Sequence, residues 1–347
     1  MRGTRITIPD LQLLTDHWPS AIHRDIEELE HEFNGILQHS AFSSLDHGRL
    51  QKMARFEIPH FGACWFSFAV TFEALLVATL FSTWLFVWDD ETDSHEFSTL
   101  IDDFEKSCAF RKETLDYLKK SLRLHDDGIS TSSISHSPII TSFEPIADVL
   151  IKQCTESERS KFMRELQFFI EMTEEEQQIQ RRHYLPSVEE YMRRRMGSSA
   201  VRTCLALHEY VLGSRLPEDV MNSEYMHTIW HETNVIISVE NDILSIKKEV
   251  DQSQVDTLIP LLSLELGSVQ LAIEHATEMV RRSVQRLEAA EKLLLEKYSS
   301  HTKLQADLRK FISTCKSACN GNLNWSMTSG RYKLGCSSLK GGLSIVL

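Results

Sequence analysis

Proline and glycine are scarce, at 8 and 13 in 347 residues. That is too little punctuation for an all-β chain with a turn every ~8–12 residues. Basic charge is also short. The 37 Lys and Arg side chains face 50 Asp and Glu, for a formal net charge of −13. No basic stripe exists to release counterions from phosphates, which excludes a nucleic-acid partner. A polybasic membrane anchor is excluded for the same reason. The 7 cysteines, Cys64, Cys108, Cys154, Cys204, Cys315, Cys319 and Cys336, are odd in number and scattered, a poor disulfide framework. Cys315 and Cys319 stand one helical turn apart, but no second pair joins them, so they read as small core residues rather than a zinc site. The opening MRGTRITIPDLQLL lacks the apolar stretch of a signal peptide, so a cytoplasmic location is expected. No short repeat and no convincing run of alternating strand residues is found.

Apolar residues are plentiful, at 42%, enough for a real core. Phe66 to Trp88 is long and apolar enough to imitate a membrane span. Glu73 lies inside it, and Asp89 and Asp90 end it without a basic flank. It therefore reads as a helix buried in a large helical protein, and no transmembrane segment is expected. Elsewhere helical spacing dominates. Ile22, Ile26, Leu29 and Phe33 fall at i, i+4, i+7 and i+11, one face of an amphipathic helix. Similar patterns cover 160–184, 188–212, 217–250, 269–298 and 302–322. Gly213 is a plausible helix stop, and Pro217-Glu-Asp suits a helix start. The Ser/Thr-rich stretch 126–142, with Pro138, reads as a mobile surface loop inserted in one domain. Residues 334–347, with Gly341-Gly342, read as a loose tail. The expected architecture is all-α, a single domain over 1–347.

Two clusters of oxygen donors sit at helical spacing. Asp89-Asp90-Glu91-Thr92-Asp93 ends the apolar stretch, and Asp89 and Asp93, at i and i+4, share a face. Like charges this close are costly unless a cation neutralises them, and hard oxygen ligands suit Mg²⁺. The bland reading is an acidic helix end in solvent. The second cluster is Asn241, Ser245 and Glu249, stepping at i, i+4 and i+8 along one stripe. It offers an amide oxygen, a hydroxyl and a carboxylate, and its bland reading is the polar face of an ordinary helix. Together the two suggest Mg²⁺ held between two helices. Candidate anion clamps are the run Arg193-Arg194-Arg195, Lys248 beside Glu249, and Arg331-Tyr332, since arginine grips phosphate oxygens in forked geometry. A run of three arginines is equally the mark of a solvated face.

These residues resemble the class I terpene synthases, in particular the microbial and fungal single-domain cyclases. Asp89-Asp90-Glu91-Thr92-Asp93 is similar to the aspartate-rich motif DDxxD of that family. Asn241-Asp242-x-x-Ser245-x-x-Lys248-Glu249 is similar to its second metal motif. Gly321-Asn322-Leu323-Asn324-Trp325-Ser326, followed by Arg331-Tyr332, is similar to its C-terminal signature. The resemblance spans roughly residues 20–333. It implies an all-α bundle around a deep apolar pocket, three Mg²⁺ ions and an isoprenoid diphosphate substrate. By position, Asp89 would lead the metal ligands with Asp90 and Asp93, while Asn241, Ser245 and Glu249 hold another ion. Lys248, Arg331 and Tyr332 would face the diphosphate. The diphosphate-sensing arginine of the family follows a Glu-Tyr pair, so Glu190-Tyr191 points to Arg195. The usual Thr and Gly beyond it are replaced by Met196-Gly-Ser198-Ser199-Ala200, which leaves Arg194 as a rival.

On this reading an allylic diphosphate ionises as metal ions, Arg195, Lys248 and Arg331 stabilise the leaving charge. That resolves how a protein at −13 captures an anion. Phe61, Trp65, Phe86 and Trp325 are candidates to stabilise the carbocation through their ring faces, with plain core residues as the alternative. Phe86 lies at i−3 from Asp89. No side chain stands out as the final base, so released diphosphate or trapped water would take the proton. Arg331 pairing with both diphosphate and Asp90 would latch the pocket. The chain length points to a sesquiterpene cyclase acting on farnesyl diphosphate, with geranylgeranyl diphosphate as the alternative. Remoter readings are a chain-elongating prenyl synthase, a catalytically silent helical scaffold and a zinc hydrolase on His227 and His231. Oligomeric state is open.

Overall fold

The computed structural model describes all residues except 40, 94–96, 125–134, 183, 333, 335 and 337. Much of the 126–142 stretch therefore lies outside the described residues. In chain order the helices are α1 (Ile26–His39), α2 (His47–Arg55), α3 (Ile58–Trp65), α4 (Phe72–Asp93), α5 (Phe104–Ser121), α6 (Pro138–Thr141), α7 (Glu144–Gln153) and α8 (Glu156–Arg181). They continue with α9 (Val188–Ser198), α10 (Val201–Leu205), α11 (His208–Leu212), α12 (Glu218–Met221), α13 (Glu224–Asp251), α14 (Leu258–Leu266), α15 (Val269–Lys297) and α16 (Thr302–Thr328). The all-α expectation holds, with one small exception at the termini.

That exception corrects the loose tail. β2 (Leu343–Val346) pairs antiparallel with β1 (Arg5–Ile8), with Arg5 opposite Val346 and Ile8 opposite Leu343. Ile6, Ile8 and Leu339 are buried. Four-residue strands are too short for alternation to register in a sequence, and each is stabilised only by its distant partner.

α4 is long and apolar enough to cross a membrane by length and composition, but most of it is buried inside the protein. It packs against α1, α3, α6, α7 and α11. Trp84 and Trp88 are fully enclosed, and each indole N–H is satisfied, by the Ile139 carbonyl at 3.0 Å and the Thr114 hydroxyl at 3.0 Å. Burial on all sides explains why the stretch shows no amphipathic stripe. α13 is the second central helix and contacts α9, α10, α14, α15 and α16.

The 188–212 pattern breaks into three helices. Ala200 adopts a left-handed conformation (φ +59°), and the carbonyl of Met196 is taken by the Asn234 side chain at 2.7 Å. A polar partner from α13 thus replaces part of the helical ladder, which spacing alone could not show. Gly213 (φ +57°) stops α11, as expected. Gly321 lets α16 cross α3, because a Cβ there would lie 2.5 Å from the Cys64 carbonyl oxygen. Cys315 and Cys319 are free, buried core residues.

Candidate active site

α4 brings Asp89 and α13 brings Asn241 to one cavity, while Asp90, Asp93, Ser245, Lys248 and Glu249 lie outside its lining. Asp89, Asn241, Arg195, Arg331 and Tyr332 all line this cavity, which encloses about 770 Å³ of space, part of it open to solvent. Below them the wall is largely aromatic and apolar, with Phe61, Trp65, Leu85, Phe86, Phe169 and Trp325. Phe61 meets Trp325 edge-on at 4.9 Å and Phe86 at 5.6 Å. The Trp325 indole N–H is held by the Phe56 carbonyl at 2.7 Å, which fixes the ring.

Asp89 is half-buried, Asp90 buried and Asp93 exposed. Desolvation, then the charges of Asp90 and Glu176, push the Asp89 carboxyl up to about 6, against the pull of Arg331 and Arg195. Asp90 is engaged by Lys52 Nζ at 2.8 Å, and its Oδ2 has no partner. The Arg331–Asp90 pair expected as a latch is therefore not formed here. The Arg331 guanidinium lies over the rings of Phe86 at 4.9 Å and Phe56 at 5.0 Å.

On α13, Ser245 donates to Glu249 Oε1, and Thr257 donates to Oε2 at 2.6 Å. Burial and the nearby Asp242 push the Glu249 carboxyl up to about 7, with both hydroxyls opposing. The Asn241 amide donates to the Tyr332 hydroxyl. Arg195 donates to Asn241 Oδ1 at 2.9 Å and to Asp242 Oδ1 at 3.0 Å. Tyr191 donates to the other Asp242 oxygen at 2.7 Å. Burial would lower the Arg195 pKa, but Asp242, Tyr191 and Glu176 outweigh it and hold the guanidinium charged. Lys248 is lowered to about 8 by burial and by Arg331, while Asp93 and Glu249 oppose the shift. Its charge environment thus spans both clusters.

Arg194 behaves differently. It is fully buried, its guanidinium nitrogens make no hydrogen bond, and its nearest carboxylate oxygen, on Glu176, is 3.7 Å away. It lines neither the cavity nor the adjoining cleft, whereas Arg195 lines both. That cleft joins Asp89 and Asp93 to Thr173, Glu176, Gln177 and Ser198.

Sequence reasoning missed Glu176, which sits in the run Glu174-Glu175-Glu176 and looks there like a solvated helix face. It also missed Lys52 and left Asp242 without a role, although Asp242 lies inside a quoted motif. His227 and His231 are exposed, and the neighbouring Glu232 is buried and pairs with Arg286 at 2.7 Å. Among the described residues no three His, Cys, Asp or Glu side chains converge into a ready-made metal cage. A cation at the cavity mouth would rest on mixed carboxylate, amide and hydroxyl donors, with water and ligand oxygens completing its shell. The donor set fits a hard ion. It is all oxygen, desolvation and like charge raise three of its carboxyls, Asp89, Asp93 and Glu249, and Asp90 Oδ2 is buried without a partner.

An all-helical fold with this cavity defines a class, the class I terpene synthases, which are lyases. The chain belongs to that family, since residues 80–286, more than half of it, match the model described as terpene synthase family 2, C-terminal metal binding. The sesquiterpene cyclase hepA of Aspergillus oryzae is 29% identical over 335 residues, covering 95% of this chain and 89% of the relative. The terpene cyclase braA of Annulohypoxylon truncatum is 25% identical, covering 95% and 86%. Among solved structures, an α-eudesmol synthase superposes with a TM-score of 0.76 at 17% identity, covering 90% of this chain and 98% of that one. A linalool/nerolidol synthase from Streptomyces clavuligerus, in complex with 2-fluorogeranyl diphosphate, gives 0.73 at 17%, covering 91% and 98%. Both show the same fold.

Proposed function

We propose that the chain is a Mg²⁺-dependent sesquiterpene cyclase that ionises farnesyl diphosphate and closes the allylic cation into a ring. The observation that carries this reading is one cavity with cationic and oxygen-donor side chains at its mouth and aromatic rings below. The fungal sesquiterpene cyclase among the relatives supports the C15 substrate. Asp89, Asp90 and Asp93 would hold metal on the α4 side, with Asn241, Ser245 and Glu249 on the α13 side. Three ions are expected. Bound Mg²⁺ supplies positive charge to the diphosphate oxygens as the leaving group departs.

The protein's own residues do the rest. Arg195, oriented by Asn241 and Asp242, grips a diphosphate oxygen together with Lys248, Arg331 and Tyr332. An arriving anion raises the Lys248 pKa from about 8 and keeps the ammonium charged. Drawing Arg331 to the diphosphate lifts it from the face of Phe86 and leaves that ring free for the carbocation. Phe61 and Trp325 complete an aromatic wall with Phe86 that carries no nucleophile. The whole chain, 1–347, acts as one catalytic domain.

Product analysis by gas chromatography after incubation with C10, C15 and C20 diphosphates tests the reading. Cyclic C15 products with Mg²⁺, and none after chelation, are expected. Cyclic C20 products would move the assignment to a diterpene synthase. Longer diphosphates, formed when the five-carbon building block is added, would replace it with chain elongation.

A further inference from the structure

α2 turns two cations, one helical turn apart, onto two consecutive carboxylates of the acidic cluster. Arg49 meets Glu91, and Lys52 meets Asp90 at 2.8 Å. The two pairs are built differently. Arg49 is buried, and its guanidinium also donates to the Val87 carbonyl at 3.3 Å and the Phe97 carbonyl at 2.8 Å. It pairs with Asp46 as well, at 2.8 Å, so the planar fork is fixed from several sides. Lys52 is half-buried, and among the described residues its ammonium donates to Asp90 Oδ1 alone. The rings of Phe97 and Phe56 flank that ammonium, at 4.7 and 5.5 Å from their centroids. They offer it a second resting place without a carboxylate. Asp90 itself is buried, and its Oδ2 has no partner. One oxygen of this carboxylate is thus open, and the other is held by a single bond from a flexible side chain.

We propose that Lys52 is a resident counter-ion of the metal site, which neutralises Asp90 until a divalent cation takes its place. This rests on the reading that Asp90 belongs to a metal site, and deepens it. A bare carboxylate this deeply buried is costly, and the ammonium removes that cost. An ammonium and a divalent cation on one carboxylate repel each other, so the more loosely held of the two leaves. Lys52 has the freedom to swing onto the faces of Phe97 and Phe56, and Arg49 does not. Arg49 keeps Glu91, and with it the end of α4, in position during the exchange. Lys52 is therefore a positioning residue that sets how much Mg²⁺ the site needs before it fills.

The test is titration calorimetry of the full chain with Mg²⁺, alone and with inorganic diphosphate, beside Tm measured without Mg²⁺. Lys52→Met keeps an apolar stem against both rings and removes the charge. It should lower Tm without Mg²⁺, because Asp90 is then bare. It should also tighten Mg²⁺ binding about tenfold, because no ammonium competes. Lys52→Arg, with a forked grip on the carboxylate, should weaken binding instead. In an Asp90→Asn background, Lys52→Met should leave the Mg²⁺ affinity unchanged. If Lys52→Met does not fold, Lys52→Gln takes its place in each comparison. Unchanged or weaker binding in Lys52→Met overturns the exchange and makes the pair a fixed brace. A tightening that persists in the Asp90→Asn background overturns it too, since the effect then comes from the general field of the chain. No Mg²⁺ binding by the wild type, with or without diphosphate, removes the metal reading and this inference with it.

Discussion

The two donor clusters at the cavity mouth are built on opposite principles. The α4 cluster is held apart by charge. Asp89 and Asp93 repel one another and Glu176 despite the pull of Arg331, Arg195 and Lys248, and Lys52 is spent on Asp90. The α13 cluster is closed by hydrogen bonds, with Asn241 on Tyr332 and Arg195, and Glu249 on Ser245 and Thr257. A cation arriving at α4 relieves an existing strain of charge. At α13 it must replace bonds already made. On the proposed reading, the first side is primed for capture, and the second couples capture to movement of Arg195 and Tyr332.

The contrast breaks first at Asp89. Asp89→Asn should lower kcat/KM by about 10³-fold, roughly 4 kcal/mol. Asp90→Asn should cost only about 10- to 100-fold, because Lys52 already holds that carboxylate. Equal losses in steady-state kinetics would erase the distinction within α4. Next comes Asp242→Asn, which removes the carboxylate that orients Arg195 and Tyr191. A fall of about 10- to 100-fold is expected, mostly in kcat. An unchanged rate would remove Asp242 from the diphosphate machinery.

The third prediction concerns pH. The raised carboxyls bind protons more tightly in the folded protein, so their ionisation removes stability as pH rises through about 6 for Asp89 and about 7 for Glu249. Mg²⁺ needs the ionised forms, so the rise in Tm on adding Mg²⁺ should be larger at pH 8 than at pH 5.5. Buried His208, lowered to about 3, costs stability at pH 5.5 and not at pH 8, but equally with and without Mg²⁺, so it drops out of the increment. A Tm increment independent of pH, measured by scanning calorimetry, would sever the carboxyls from metal binding. The smallest effect is expected from Arg194→Met, which replaces a buried cation lacking hydrogen bonds with an apolar chain. Activity should stay within about threefold, whereas Arg195→Met should lose about 10²-fold.

Much of this was legible in the sequence because helical period converts spacing into faces. Asp89 and Asp93 had to share a side, as did Asn241, Ser245 and Glu249, and scarce Pro and Gly left few alternatives to helices. The helix break at Ala200 was not legible, since it depends on Asn234 reaching over from α13. Glu176 was hidden because an acidic run looks the same in solvent as beside a metal site.

The sequence by itself determined which residues stand on which helical face, and hence the all-α class and the two donor stripes, because those properties are local. Tertiary structure alone decided that Asp89 of one stripe and Asn241 of the other line one cavity and that Arg195 rather than Arg194 joins them. It also decided that the C-terminal segment pairs with the N-terminal strand and that Lys52 meets Asp90. Each of these is a meeting between segments tens to hundreds of residues apart, set by packing that no local period encodes.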